Sequence, residues 1–286
     1  MSFAGAGQEA AACLQTAALY NNAMTSASDT PALRLSALVV AHNEEDRIAA
    51  CLERLGFADE IVVVLDRCTD KTKAIAEKMG ARTIEGAWPI EGDRRNAGIE
   101  ACGGAWIVEI DSDEHVPPAL GDEILETIAR SRFAWHELPV DNYIGDRLVR
   151  YGWGGSFGTS AVPRLFRKGA KTWGRQAVHP SLTWDGFKGP RLTTPLVHYV
   201  DRNISDVIRR LDSYTSAKAR DLRASGDIGS LANNFRRLFS RFFKCYVMRK
   251  GYREGGYGLL IALMAGLYPL ISYLKASLEP GDGESS

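Results

Sequence analysis

Two textures of apolar residue alternate along the first part of the chain. Leu35 to Val40 is a short apolar run of the kind that forms a strand. After it, Ile48, Cys51, Leu52 and Leu55 recur at the i, i+3, i+4, i+7 spacing of a helix face. Asn43 is placed to cap that helix and Gly56 to end it. Ile61 to Leu65 is unbroken apolar sequence closed by Asp66, the pattern of a strand covered on both faces. Thr72, Ile75, Ala76 and Met79 then repeat the helical spacing as far as Gly80, and a third short strand is expected near Arg82 to Glu85. Strands and helices alternating at this pace imply right-handed crossovers and a largely parallel sheet. Such sheets bind ligands beyond the carboxyl ends of their strands. Asp66 and the His42-Asn43-Glu44 turn should therefore share one rim.

The same rim receives the chemistry. Asp111 and Asp113 follow the run Ala105-Trp106-Ile107-Val108-Glu109-Ile110, and Glu114 comes next. Residues two apart in a strand face one side, so both carboxylates are expected to project together. Paired hard oxygen ligands beside an open loop suit a divalent cation that also grips phosphates. The competing reading is a strand ending in a solvated acidic turn.

The segments Val40-Ala41-His42-Asn43-Glu44-Glu45, Val63 to Thr72, Arg94-Arg95-Asn96-Ala97-Gly98 and Asp111-Ser112-Asp113-Glu114 resemble family 2 glycosyltransferases in order and approximate spacing. Pro163 to Gly169, Ala177-Val178-His179 and Leu196-Val197-His198-Tyr199 resemble one branch, the bacterial lipopolysaccharide-core glucosyltransferases of β-1,4 type and their relatives. The resemblance implies an α/β GT-A fold: a Rossmann-like, mainly parallel sheet flanked by helices, here with a C-terminal helical extension. It further implies a UDP-sugar donor, a divalent metal (Mn or Mg) and an inverting transfer without a covalent sugar intermediate.

Site residues come from the same resemblance. Ala41, Glu44, Asp66, Arg95, Asp111 and Ser112 are expected to bind the nucleotide sugar, although Asp66 equally suits a turn or helix cap. Arg94 beside Arg95 reads as a solvated charge. Asp111 and Asp113 are expected metal ligands, with Asp113 the direct one, and His198 is either a third ligand or a structural histidine. On the acceptor side the relatives' glutamate after Val-His is replaced by Pro180, so the base is not carried over. Asp141, Asp146 and His179 are the candidates, since an acceptor hydroxyl must lose its proton as it attacks. Trp153 and Arg164 are expected to bind the acceptor, though Trp153 equally suits a cover for the core edge.

Composition narrows the setting. The chain has 286 residues and equal numbers of basic and acidic side chains, 35 each, so no net charge draws it to nucleic acid. Five scattered cysteines without a Cys-x-x-Cys pair argue against disulfides or a zinc ribbon and for a reducing compartment. Four regions are expected: a flexible tail over 1–32, a nucleotide-sugar half over 33–130, an acceptor half over 131–200, and a helical, membrane-associating region over 201–286. In the last, Asn203 and Asp206 resemble a capping box before Val207, Ile208, Leu211 and Tyr214 on one helical face. Arg236, Arg237, Arg241, Lys244, Arg249, Lys250 and Arg253 then meet no acidic residue, are interleaved with aromatics, and lead into the apolar stretch Gly258 to Leu274. That combination reads as an element for an anionic membrane surface, with RNA binding and an ordinary packed helix as alternatives. Removing the chain from Arg236 onward is expected to leave a soluble remnant that binds UDP. The expected whole is a cytoplasmic transferase, peripheral at the inner face of the membrane, moving a hexose from a UDP-sugar to a lipid-linked or oligosaccharide acceptor. A non-catalytic nucleotide-sugar-binding protein is the runner-up, and a nucleotidyltransferase lacks the expected glycine loop.

Overall fold

The first two strands show why the sequence runs are continuous. In β1 (Leu35–Ala41), Leu35, Ala37, Val39 and Ala41 face one hydrophobic cluster, while Leu38 and Val40 face another on the opposite side. In β2 (Glu60–Asp66), Val63 and Leu65 join the first cluster, and Val62 and Val64 the second. A strand covered on both faces has no place for the usual polar alternation.

The computed structural model describes residues 34–154, 159–175 and 181–279, all within one compact unit, Leu33–Ser286. The expected tail over 1–32, His179 and Pro180 lie outside the described residues. Between the strands run α1 (Ile48–Leu52), α2 (Thr72–Lys78), α3 (Glu91–Ala101) and α4 (Pro118–Arg130). The remaining strands are β3 (Arg82–Gly86), β4 (Trp106–Asp111), β5 (Glu114–His115), β6 (Trp135–Ile144), β7 (Arg147–Val149), β8 (Ala161–Arg167), β9 (Lys171–Trp173), β10 (Leu182–Trp184) and β11 (Leu196–Asp201). One nine-stranded sheet has the order β3-β2-β1-β4-β8-β6-β11-β5, with β7 on β6, and β9 and β10 form a separate pair.

The GT-A expectation holds, with a division inside the sheet. β3, β2, β1 and β4 are parallel; β8 then runs antiparallel to both β4 and β6, and β5 antiparallel to β11. The sheet is therefore mixed, its parallel part confined to the first half plus the β6–β11 pair. Gly98 seats α3 on that parallel part, since a Cβ there would lie 2.6 Å from Leu38 Cδ1.

Three helices follow among the described residues: α5 (Ile204–Ser225), α6 (Leu231–Phe243) and α7 (Gly256–Leu278). Asn203 caps α5 by accepting from the Asp206 N–H at 3.0 Å, as its sequence implies. Only Val207 and Leu211 of the four expected apolar positions are buried; Ile208 and Tyr214 are exposed. The helices share a cluster with the sheet: Ile144, Val149 and Trp153 pack with Val207, Leu211, Ile261 and Ala265. That continuity runs against the expectation of a soluble remnant, because cutting at Arg236 would strip α7 from the Ile144 end of the sheet.

Candidate active site

Backbone geometry fixes the nucleotide-side rim first. Asn43 has φ +54°, a left-handed conformation that asparagine tolerates, and its Oδ1 accepts from the Thr69 N–H at 2.8 Å. It therefore ties two loops together; the helix begins later, at Ile48 after Arg47, without a side-chain cap. Thr72 Oγ1 accepts from the Glu44 N–H at 2.8 Å, and Asp70 accepts from the Glu45 and Thr72 N–H groups at 3.0 Å. Asp70, not Asp66, thus does the local turn work, leaving Asp66 for another role.

Asp66 is buried at the end of β2. Its carboxylate accepts from Arg67 Nε and Nη2, from the Trp88 N–H at 3.1 Å and from Arg94 Nη1 at 3.1 Å. Burial pushes the Asp66 carboxyl up, but these donors win and hold it below its ordinary value. Arg94 is accordingly an ion-pair partner rather than a solvated charge, and among the described residues its buried Nε finds no hydrogen-bond acceptor. A buried donor left open this way is what a bound polar ligand would satisfy.

A ladder of alternating charge runs beneath the rim. Glu109, wholly buried in β4, accepts from Arg95 Nη1 at 2.6 Å and from Lys171 Nζ. Burial pushes its carboxyl up, yet Lys171 and Arg95 bring it down to about 2. Arg95 reaches on to Asp111 at 3.4 Å, and Arg164 bonds both Asp111 and Glu114. The two guanidiniums overcome burial and hold the Asp111 carboxyl well below the carboxylate range, while burial pushes Glu114 up. Arg164, expected to meet the acceptor, instead buttresses the Asp111–Glu114 turn. Arg95 braces Asp111 from the other side and stacks 5.0 Å over Trp173. Glu109 and Lys171 escaped the sequence reading, although one acidic residue inside an apolar strand run signals a buried cation.

β4 ends at Asp111, so Asp113 stands in the turn beyond it and not two residues along the same strand. Asp113 Oδ2 lies 3.5 Å from His198 Nε2 and 3.8 Å from Arg47 Nη1. Asn142 Nδ2 donates to the Thr159 carbonyl at 2.9 Å, which turns its Oδ1 toward His198 Nδ1 at 3.0 Å. With Nδ1–H so engaged, Nε2 faces Asp113, and exchange of its proton for a cation would leave the arrangement common in metal-binding histidines. Burial draws the His198 pKa down, but Asp113 outweighs it and the net direction is up. Among the described residues no three His, Cys, Asp or Glu side chains are gathered to hold a cation. A two-residue set still fits magnesium-like ions, which complete their shells with substrate phosphates and water. Ser112 is buried and bonds Glu44, whose carboxyl is raised by burial; Ala41 ends β1 beside them.

An open cavity of about 460 Å³ adjoins Asp113, lined by Asp46, Arg47, His115, Asp146, Tyr199 and Asp201 among others. Asp146 is exposed there, directly after Gly145 with φ +57°. Asp141 lies off this lining, paired with Arg150 at 3.4 Å. Trp153 is 6% exposed and its indole N–H donates to the Val149 carbonyl, so it covers core and offers no ring face to a sugar. Tyr199 offers one instead: it is 40% exposed and stands 5.0 Å from His115, edge to face, and 5.5 Å from Tyr143.

Comparison with known proteins agrees with this geometry. Residues 36–176 match the sequence model of the family described as Glycosyl transferase family 2. Lipopolysaccharide core biosynthesis glycosyltransferase LpsC of Rhizobium meliloti (strain 1021) is 25% identical over 265 residues, 86% of this chain and 92% of that protein. A glycosyltransferase of Rickettsia felis is 26% identical over 81% of this chain and 85% of its own. Among solved structures, glucosyl-3-phosphoglycerate synthase of Mycobacterium tuberculosis, in complex with Mn2+, UDP and glucosyl-3-phosphoglycerate, aligns at 23% identity and a TM-score of 0.33. That alignment covers 39% of this chain and 44% of the other, too little to bear on fold or ligands. The family profile spans both the Asp66 rim and the Asp111–Glu114 turn, and residues 36–176 are a glycosyltransferase family 2 domain.

Proposed function

We propose that the protein transfers a hexose, with inversion, from a UDP-sugar to a lipid-linked envelope glycan of the lipopolysaccharide-core class, at the inner face of the cytoplasmic membrane. The observation that carries it is Asp113 at the junction of the nucleotide rim and the open cavity that Asp146 also lines. LpsC, similar over most of both chains, supports the acceptor class.

Each residue has a defined task. The Asp66–Arg94 pair offers a carboxylate and a spare N–H to the uracil edge, and the exposed Arg67 must swing away to admit it. Asp113 and His198 would hold a divalent cation, with Asp111 fixed behind them by Arg95 and Arg164. When bound, such a cation neutralises the charge that grows on the departing diphosphate, favouring the transition state over the ground state. In the transfer itself, the acceptor hydroxyl oxygen bonds to the anomeric carbon from the face opposite UDP. The bond from that carbon to the diphosphate oxygen breaks, UDP leaves with the electron pair, and the hydroxyl proton passes to Asp146. Tyr199 supplies an aromatic face for the acceptor sugar.

Asp146→Asn separates this assignment from the alternatives. It should lower kcat by about 10²–10⁴-fold, the range for loss of a general base, with donor affinity unchanged. Near-normal turnover in Asp146→Asn would reject Asp146 as the base and return the role to Asp141 or His179.

A further inference from the structure

We infer that α6 is a docking helix for an anionic lipid surface, lying in the plane of the bilayer with one aromatic row inserted. This does not rest on the transfer chemistry. Leu231, Phe235, Phe239, Phe243 and Val247 repeat every four residues along α6 and the π-type turn Lys244–Met248, and each is 42–58% exposed. The parallel row beside it holds Arg236, Ser240 and Lys244, also exposed or half-buried at the helix surface. Asn234 is the one buried residue within α6; the helix turns its Leu238 and Phe242 side toward α7, where Gly266 lies against the Leu238 carbonyl, and leaves the Phe235 row outside. Half-exposed rings in a continuous line are unlike the single apolar residues scattered over ordinary surfaces.

Charge selects the occupant. From Ile228 to Arg253 there is no aspartate or glutamate. Of the basic residues in that span, Arg236, Lys244, Lys250 and Arg253 stay at the surface, whereas Arg241 turns inward over Tyr268, 5.7 Å from its ring. An apolar row bordered by cations matches the boundary between anionic headgroups and acyl chains. The apolar helix α7, long enough by length and composition to cross a bilayer, is not the anchor here. Half of its most apolar window is buried within the protein, with Ile261, Ala262 and Ala265 in the cluster that also holds Trp153.

The test is co-sedimentation of the full chain with phosphatidylcholine vesicles, with and without phosphatidylglycerol. Binding is expected on the anionic vesicles at low salt, little on neutral ones, with release at high salt. The triple variant Phe235→Ser/Phe239→Ser/Phe243→Ser should lose on the order of 100-fold in affinity, each ring counting about half its full burial value. Arg236→Gln and Lys244→Gln should each lose about fivefold at low salt. Unchanged melting and unchanged UDP release in solution would show that the variants are folded. The inference is overturned if the full chain ignores anionic vesicles, or if neutral vesicles bind as tightly. It is also overturned if the serine variant binds vesicles normally while sedimentation velocity shows it has lost a dimer, which would make the row a self-association face.

Discussion

At the residue scale, the site is a set of charges that compensate one another in a buried setting. Glu109 between Lys171 and Arg95 is the clearest case. Glu109→Gln leaves two buried cations short of their partner, and loss of one member of such a set costs about 3–5 kcal/mol. The sign with pH is fixed by the direction of the shift. A carboxyl near 4.5 when unfolded and about 2 when folded stabilises the protein above the unfolded value and loses that contribution as pH falls toward 2. Acid titration of stability should therefore be shallower between about pH 4.5 and 2 in Glu109→Gln than in the parent, and identical slopes would exclude this role. Sequence reading named Asp66, Asp111, Asp113 and His198 because resemblance assigns their types to places, and the structure gathers Asp113 and His198 within 3.5 Å. It misplaced Arg164 and Trp153 because a side chain's direction depends on tertiary neighbours: Arg164 turns to Asp111 and Glu114, and Trp153 to Val149. Tyr199 went unmarked since nothing local distinguishes an exposed strand tyrosine from a packed one.

At the element scale, periodicity read the β1 to β3 segment closely, because β1 and β2 are covered on both faces and each helix buries one face. Beyond β3 it read less. β6, with buried and half-buried residues in strict alternation, is the longest strand and carries Asp141 and Asn142, yet its pairing with β8 and β11 joins segments far apart in sequence. The C-terminal helices were legible as helices, but their attachment was not. Gly258 shows how tight it is: a Cβ there would fall 1.8 Å from the Gly251 carbonyl oxygen. Gly258→Ala must shift α7 against the Gly251–Glu254 turn, and overpacking of this kind costs about 1–3 kcal/mol. Glu254 in that turn accepts the Arg150 and Tyr151 N–H groups at 2.8 and 3.1 Å, so the loss should reach the loop beyond β7. Thermal melting with amide exchange at Arg150 and Tyr151 checks this; a melting point equal to the parent's would contradict it.

At the scale of the whole molecule, one sheet would serve both ligands of the proposed transfer. Its parallel half presents Glu44, Asp66 and Asp111 at the strand ends, and its mixed half, through β11, brings His198 and Tyr199 to the far side of Asp113. In the proposed transfer the ends of β1, β2 and β4 feed the nucleotide rim, the ends of β6 and β11 with β5 line the acceptor cavity, and Asp113 belongs to both. The proposed transfer would therefore depend on Asp113 more directly than on any other side chain. The direct measurement is UDP release from a panel of UDP-hexoses with Mn²⁺ or Mg²⁺, for the parent and for Asp113→Ala. The parent should release UDP slowly from at least one donor, and both chelator and Asp113→Ala should abolish that release while the melting temperature is retained. Release that persists undiminished through both chelation and the substitution, or no release from any donor, would contradict the role given to Asp113.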